Sequence, residues 1–141
     1  MKVYIAYESK FGNGKKCVDY LQEAITKKGH SVETSSIREI KPNSIPSADL
    51  YIFSSPTHVG RPPRKMKKFL NNLEIPQDAK YTTMVTHMDP NAKTPQIIDN
   101  LLQPKGMTKV SDGAKIRVTG FRGPLEDGYE KKLDAFADEI S

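Results

Sequence analysis

The chain has 141 residues, 36% hydrophobic and 28% charged, with one cysteine and a formal net charge of +5. That length supports one packed core without staples, so residues 1–141 are read as a single domain. A lone Cys17 excludes an internal disulfide and makes a reducing, cytoplasmic setting the expectation. No apolar run approaches the roughly 18 residues of a membrane span, and Glu8 closes the short run at the N-terminus before it resembles a signal peptide.

In chain order, Val3 to Tyr7 is a continuous β-branched, aromatic and apolar run, the pattern of a strand buried on both faces. After a polar stretch, Cys17, Val18, Leu21, Ala24 and Ile25 share one face of a helix that Gly29 ends. Ser31 to Ser35 is a weaker strand, expected near an edge, and Ile37 to Ser47 is a connection with two prolines. Leu50 to Phe53 is a second strongly apolar strand. Past Pro62 and Pro63, the spacing of Met66, Phe69, Leu70 and Leu73 predicts a helix. Tyr81 to Thr86 reads as a strand, and Ile97, Ile98, Leu101 and Leu102 as a helix stopped near Pro104. Ala114, Ile116 and Val118 alternate with Lys115 and Arg117, a strand with one wet face. Tyr129, Leu133, Phe136, Ala137 and Ile140 mark a last helix.

Strands that alternate with helices need crossover connections, so the expected fold is α/β: a three-layer, doubly wound, five-stranded parallel sheet. Ligands of such sheets sit beyond the carboxyl ends of the strands, where the strand order reverses. Functional residues are therefore sought in the loops that follow strands, above all the first and third.

The first of these is Ser9-Lys10-Phe11-Gly12-Asn13-Gly14. Its backbone N–H groups and the positive end of the following helix make an anion site, to which Ser9 and Asn13 add donors and Lys10 or Lys15 adds charge. A nucleotide triphosphatase loop is excluded, because it needs glycine at Ser9 and a hydroxyl at Lys16. A dinucleotide fingerprint fits poorly, since Glu8 to Phe11 separate the strand from Gly12 and Glu33 falls inside the second strand. On this loop alone, a turn that binds nothing stands beside the anion site.

Tyr7 to Gly14 resembles the FMN phosphate loop of the flavodoxin family, with Gly14 in place of the usual threonine and Phe11 where a hydroxyl is common. Ser54-Ser55-Pro56-Thr57-His58-Val59-Gly60-Arg61-Pro62 resembles that family's isoalloxazine loop, with His58 in the aromatic position. The resemblance implies strand order 2-1-3-4-5 and an FMN cofactor. It implies hydroxyls of Ser54, Ser55 and Thr57 facing phosphate or ribityl oxygens, and His58 or Val59 covering the ring. It also implies that Gly60 lets a peptide reorient so its carbonyl accepts from the protonated flavin N5. Thr86-His87-Met88-Asp89 falls where the family has its second flavin loop, with His87 or Met88 against the other ring face. Arg61, where the family often has an acidic or neutral residue, is expected to make the second reduction potential less negative, unless it points into water.

Phe121 to Glu126 is read as the entry to the last helix. Arg61, Arg64, Lys65, Lys67 and Lys68 form a basic cluster: a solvated helix face, or a docking surface for an acidic redox partner. No aromatic residues interleave with it, which argues against nucleic acid. No metal-ligand spacing or catalytic triad is evident. The resemblance thus implies an electron carrier. The alternatives are an FMN-dependent quinone or NAD(P)H oxidoreductase of the same fold, which this short chain leaves little room for, and a flavin-free interaction module.

Overall fold

The computed structural model describes residues 1–120 and 122–141; Phe121, named above at the entry to the last helix, lies outside them. Strand β1 (Lys2–Tyr7) leads into helix α1 (Asn13–Lys27), followed by β2 (Ser31–Ser36), β3 (Leu50–Ser55) and α2 (Arg64–Asn71). Then come β4 (Lys80–His87), α3 (Thr94–Leu102), a 3-10 turn (Gln103–Lys105), β5 (Thr108–Lys109), β6 (Ala114–Arg117) and α4 (Tyr129–Ile140). All pairings within the sheet are parallel, in the order β2-β1-β3-β4, with β5 and β6 both against the far side of β4. The order 2-1-3-4-5 is therefore present.

The central strands show why the apolar runs are continuous. Val3 to Ala6 are fully buried, and every residue of β3 is buried, because helices cover both faces. On one face Val3, Ile5, Leu50, Ile52 and Ile116 pack against Val18, Leu21 and Ile25 of α1 and Leu133 and Phe136 of α4. On the other, Tyr4, Tyr51, Phe53 and Tyr81 meet Met66, Phe69 and Leu70 of α2 and Ile98 and Leu102 of α3. Each such side chain contributes about 1.5–3 kcal/mol on burial, so this sandwich holds the loops above it in place. Cys17 lies inside it, and burial pushes its thiol up to about 12, which leaves it inert at neutral pH.

Two departures from the sequence pattern matter. The fifth strand position is split. Lys80 and Tyr81 pair with Thr108 and Lys109, whereas Met84 to His87 pair with Ala114 to Arg117. Residues 110–113 detour between the two pieces, held by Thr82 Oγ1 donating to the Ser111 carbonyl at 3.1 Å. A Cβ at Gly113 would lie 2.3 Å from the Thr83 carbonyl oxygen, so the chain returns to the sheet through a gap only glycine fits. Second, β4 runs one residue further than expected, so His87 is its last strand residue rather than a loop residue. Val118 leaves the sheet and forms an antiparallel bridge with Leu125.

Candidate functional site

The strand order reverses between β2-β1 and β3-β4, which opens the crevice that a doubly wound sheet offers to ligands. A cleft lies there. Its walls are Ser9, Lys10, Phe11, Asn13 and Gly14; Pro56, Thr57 and His58; Thr86 and Met88; and Val118 and Gly120. It is narrow, with an empty volume of about 450 Å³ that includes the open solvent at its mouth. Among the described residues no helix is long and apolar enough to cross a membrane, and no cluster of His, Cys, Asp or Glu is placed to hold a metal.

One end of the cleft is built from backbone. Gly12, at φ 90°, turns the chain into α1, whose first turn has no acidic residue and no side-chain cap. Ser9 Oγ accepts the Lys15 N–H at 3.2 Å, and no hydrogen bond of the described residues uses the N–H of Lys10 to Gly14. Free amides at the positive end of a helix attract a dianion. A Cβ on Gly14 would sit 3.3 Å from the Glu8 carbonyl, so the missing side chain is what lets loop and helix close together. Lys15 is turned along the helix to Asp19 at 2.6 Å, whereas Lys10 is in no ion pair among the described residues. Phe11 carries Lys10 Nζ at 5.4 Å and Arg122 Cζ at 5.5 Å from its ring centre.

Glu8 anchors this loop. Only 3% of its side chain is exposed, and it accepts from Arg38 at 2.8 and 3.2 Å and from the Ser9 N–H at 3.1 Å. The Glu8 N–H donates to the Ser54 carbonyl at 3.0 Å, which ties the first loop to the end of β3.

The loop after β3 supplies the second wall. Ser54 and Ser55 are buried beneath it, and Ser55 Oγ donates to the Pro56 carbonyl at 2.8 Å; neither lines the cleft. Thr57 Oγ1 lies 2.8 Å from Oγ1 of the buried Thr94, which ties the wall to α3. His58 and Arg61 exchange two backbone hydrogen bonds, 2.7 and 3.2 Å long, across Val59 at φ 54° and Gly60 at φ 76°. Positive φ at both central residues is the signature of a type I′ turn. Val59 is fully exposed at its tip, and neither Val59 nor Gly60 lines the cleft. The Gly60 carbonyl accepts the Lys93 N–H at 3.0 Å, so turning it toward the cleft requires breaking that bond.

At the end of β4, Thr86 and Met88 line the cleft and His87 does not. Alternation along the strand puts His87 on the opposite face from Thr86. It is buried with Nδ1 unpartnered, and burial holds its imidazole below the usual range despite the Glu126 carboxylate. Asp89 is exposed and accepts the Asn91 N–H at 2.9 Å, a turn contact outside the cleft.

The structure thus brings ten of the residues singled out from sequence onto one surface. Gly12, Ser54, Ser55, Val59, Gly60, His87 and Asp89 shape or support it instead. Val118 and Gly120 were missed as walls. Their signal lay in the paired glycines of the last loop: Gly123, at φ 97°, packs so closely on Asn13 that a Cβ would meet its Oδ1 at 2.7 Å.

The flavodoxin domain family model matches residues 4–125. No curated protein sequence matches. A flavodoxin from the domain Archaea superposes with a TM-score of 0.81 at 20% identity, covering 99% of this chain and 96% of that one. A Streptococcus pneumoniae flavodoxin gives 0.81 at 20%, covering 99% and 97%. Rubredoxin:oxygen oxidoreductase from Desulfovibrio gigas gives 0.81 at 19%, and there 99% of this chain corresponds to 35% of that one. These likenesses carry the fold, and the family match spans every wall of the cleft: this chain belongs to the flavodoxin domain family.

Proposed function

We propose that the chain binds FMN without a covalent link and carries electrons between redox partners. One observation supports this above the others. A loop whose Lys10 to Gly14 amides donate to no described residue, at the start of a helix, and two further loops meet on one narrow cleft at the strand-order reversal.

The residues present fit the group. The amides of Lys10 to Gly14, with Ser9, Asn13 and the Lys10 cation, suit a phosphomonoester. Thr57 and Thr86 line the same space, where a hydroxyl residue suits a polyol chain. His58 and Met88, with the rim of Phe11, offer flat and polarizable surfaces to an aromatic ring. The bound flavin would supply the redox chemistry. The chain's own part is to hold the phosphate end fast and to keep bulk water off the ring's faces. An electron carrier is favoured over a flavin enzyme because the cleft is narrow. A reducing compartment belongs to the same proposal, since the thiol of Cys17 is buried and free.

The test is a visible spectrum. Purified protein is mixed with FMN, freed of unbound flavin and scanned. Retained flavin absorbance with quenched flavin fluorescence is expected, and steady NAD(P)H oxidation by the protein alone is not. A protein that stays colourless overturns the reading, and sustained NAD(P)H turnover replaces the carrier with an enzyme.

A further inference from the structure

Arg61, Arg64, Lys65, Lys67 and Lys68 are five of the 22 basic residues of this protein, gathered within eight consecutive positions. No acidic residue lies between Arg61 and Leu73. None of the five is in an ion pair among the described residues, and all but Lys67 are exposed. The first turn of α2, which holds three of them, also has no acidic residue, so the helix dipole adds to the same field.

This patch borders the cleft. The crevice lined by Arg38, Arg61, Arg64 and Lys65 shares His58 with it. Beyond Arg38 and Lys65 the crevice continues into a groove floored by Ile37, Ile40, Pro42 and Phe69. At the mouth of the cleft stand Phe11 and Met88, 41% and 45% exposed, with Val59 fully exposed on the turn next to them. Three of the five large hydrophobic side chains exposed among the described residues are thus gathered at one opening. An apolar centre with a charged flank is the composition of a protein-docking surface. Nucleic acid is disfavoured because no aromatic residue lies between Arg61 and Lys68 to stack a base among these cations. A small anion is the competing occupant, since Arg38, Arg61, Arg64, Lys65 and Lys67 line one crevice, and pyrophosphate is therefore included in the test.

We propose that the apolar rim at Phe11, Val59 and Met88 and the basic flank at Arg61, Arg64, Lys65 and Lys68 together dock an electron-transfer protein whose own docking face is acidic. The proposal rests on the flavin reading of the cleft for the word electron. With flavin bound, one electron would cross the contact in each encounter, between the flavin and the partner's redox centre, with no bond made or broken.

The probe is the acidic haem domain of cytochrome b5, with basic cytochrome c as the control. Isotope-labelled protein is titrated with each and followed by amide chemical shifts, with and without FMN. Shifts confined to residues 58–68 and the cleft rim are expected with cytochrome b5 and none with cytochrome c. They should vanish at about 0.5 M salt, where charges are screened within a few Å. The triple variant Arg64→Glu, Lys65→Glu, Lys68→Glu lies outside the cleft and should keep its spectrum. Its affinity for cytochrome b5 should fall at least ~10-fold, as should the rate at which its dithionite-reduced form reduces the ferric haem. Equal shifts with both cytochromes, shifts on another face, or a triple variant that binds as before would overturn the proposal. So would tighter binding of pyrophosphate or a short oligonucleotide at the same residues. A colourless protein that still shows the shifts sinks the flavin reading and leaves the docking face standing; a yellow protein without them does the opposite.

Discussion

The turn at His58–Arg61 asks for a residue it does not have. Val59 sits at φ 54°, in the left-handed region, with a β-branched side chain that is fully exposed and therefore gains nothing from burial. An ordinary residue there costs about 1–2 kcal/mol, and branching at Cβ places Val at or above the upper end. Val59→Asn removes most of that strain and creates Asn-Gly, the preferred centre of a type I′ turn. No contact is lost, so a gain of about 1 kcal/mol is expected. At about 2.1 cal/mol/K per residue, a chain of 141 residues unfolds with an entropy near 300 cal/mol/K, which turns that gain into a rise of about 3 °C in Tm. Val59→Gly should gain less, because the unfolded chain regains about 0.5–1 kcal/mol of entropy. Val59→Thr keeps the branch and should gain nothing. Thermal unfolding of flavin-free protein ranks the set, with ligand linkage removed. An Asn variant no more stable than the parent, or a Thr variant as stable as the Asn one, would refute the strain argument.

Gly113→Ala should be costly for two reasons at once: φ 87°, and a new Cβ 2.3 Å from a backbone oxygen that cannot step aside. A loss of about 3 kcal/mol or more is expected, read as a Tm lower by about 10 °C. His87 gives a pH dependence. Its folded pKa is held below the ordinary 6.5 by burial, with Lys115, Lys132 and Arg117 opposing the proton and Glu126 favouring it. Below about pH 6.5 the unfolded chain takes up a proton that the folded one resists, so stability is full above that pH and falls as acid is added. Urea unfolding from about pH 7.5 to about 5.5 should show this fall in the parent and a shallower one in His87→Leu.

The fold was largely legible because its central strands are buried on both faces. A sandwiched strand must be apolar throughout, and Val3–Tyr7 and Leu50–Phe53 say so directly. The loops were legible by position, since a doubly wound sheet allows ligands at one end only. The rest depended on single residues. Two-residue β5 is too short to show any period, and the split it creates is signalled only by Gly113. His87 looked like a loop residue because β4 was ended at Thr86; one more residue of strand sends its ring to the other face. Ser54 and Ser55 offered hydroxyls on paper, but belong to a fully buried strand, and Ser55 donates its hydroxyl to the Pro56 carbonyl. The turn at Val59 and Gly60 was signalled by Gly60 alone, because Val is what turn chemistry rejects at the other central position.

The rim of the cleft and the basic helix are joined without slack. From Arg61 the chain enters α2 through Pro62 and Pro63, both buried, whose rings fix two consecutive φ angles and so stiffen the link. The turn before them is riveted to the start of α3 by the Thr57–Thr94 and Gly60–Lys93 contacts. Whatever leans on the helix therefore leans on the lip of the cleft as well, as a lever arm moves with its fulcrum.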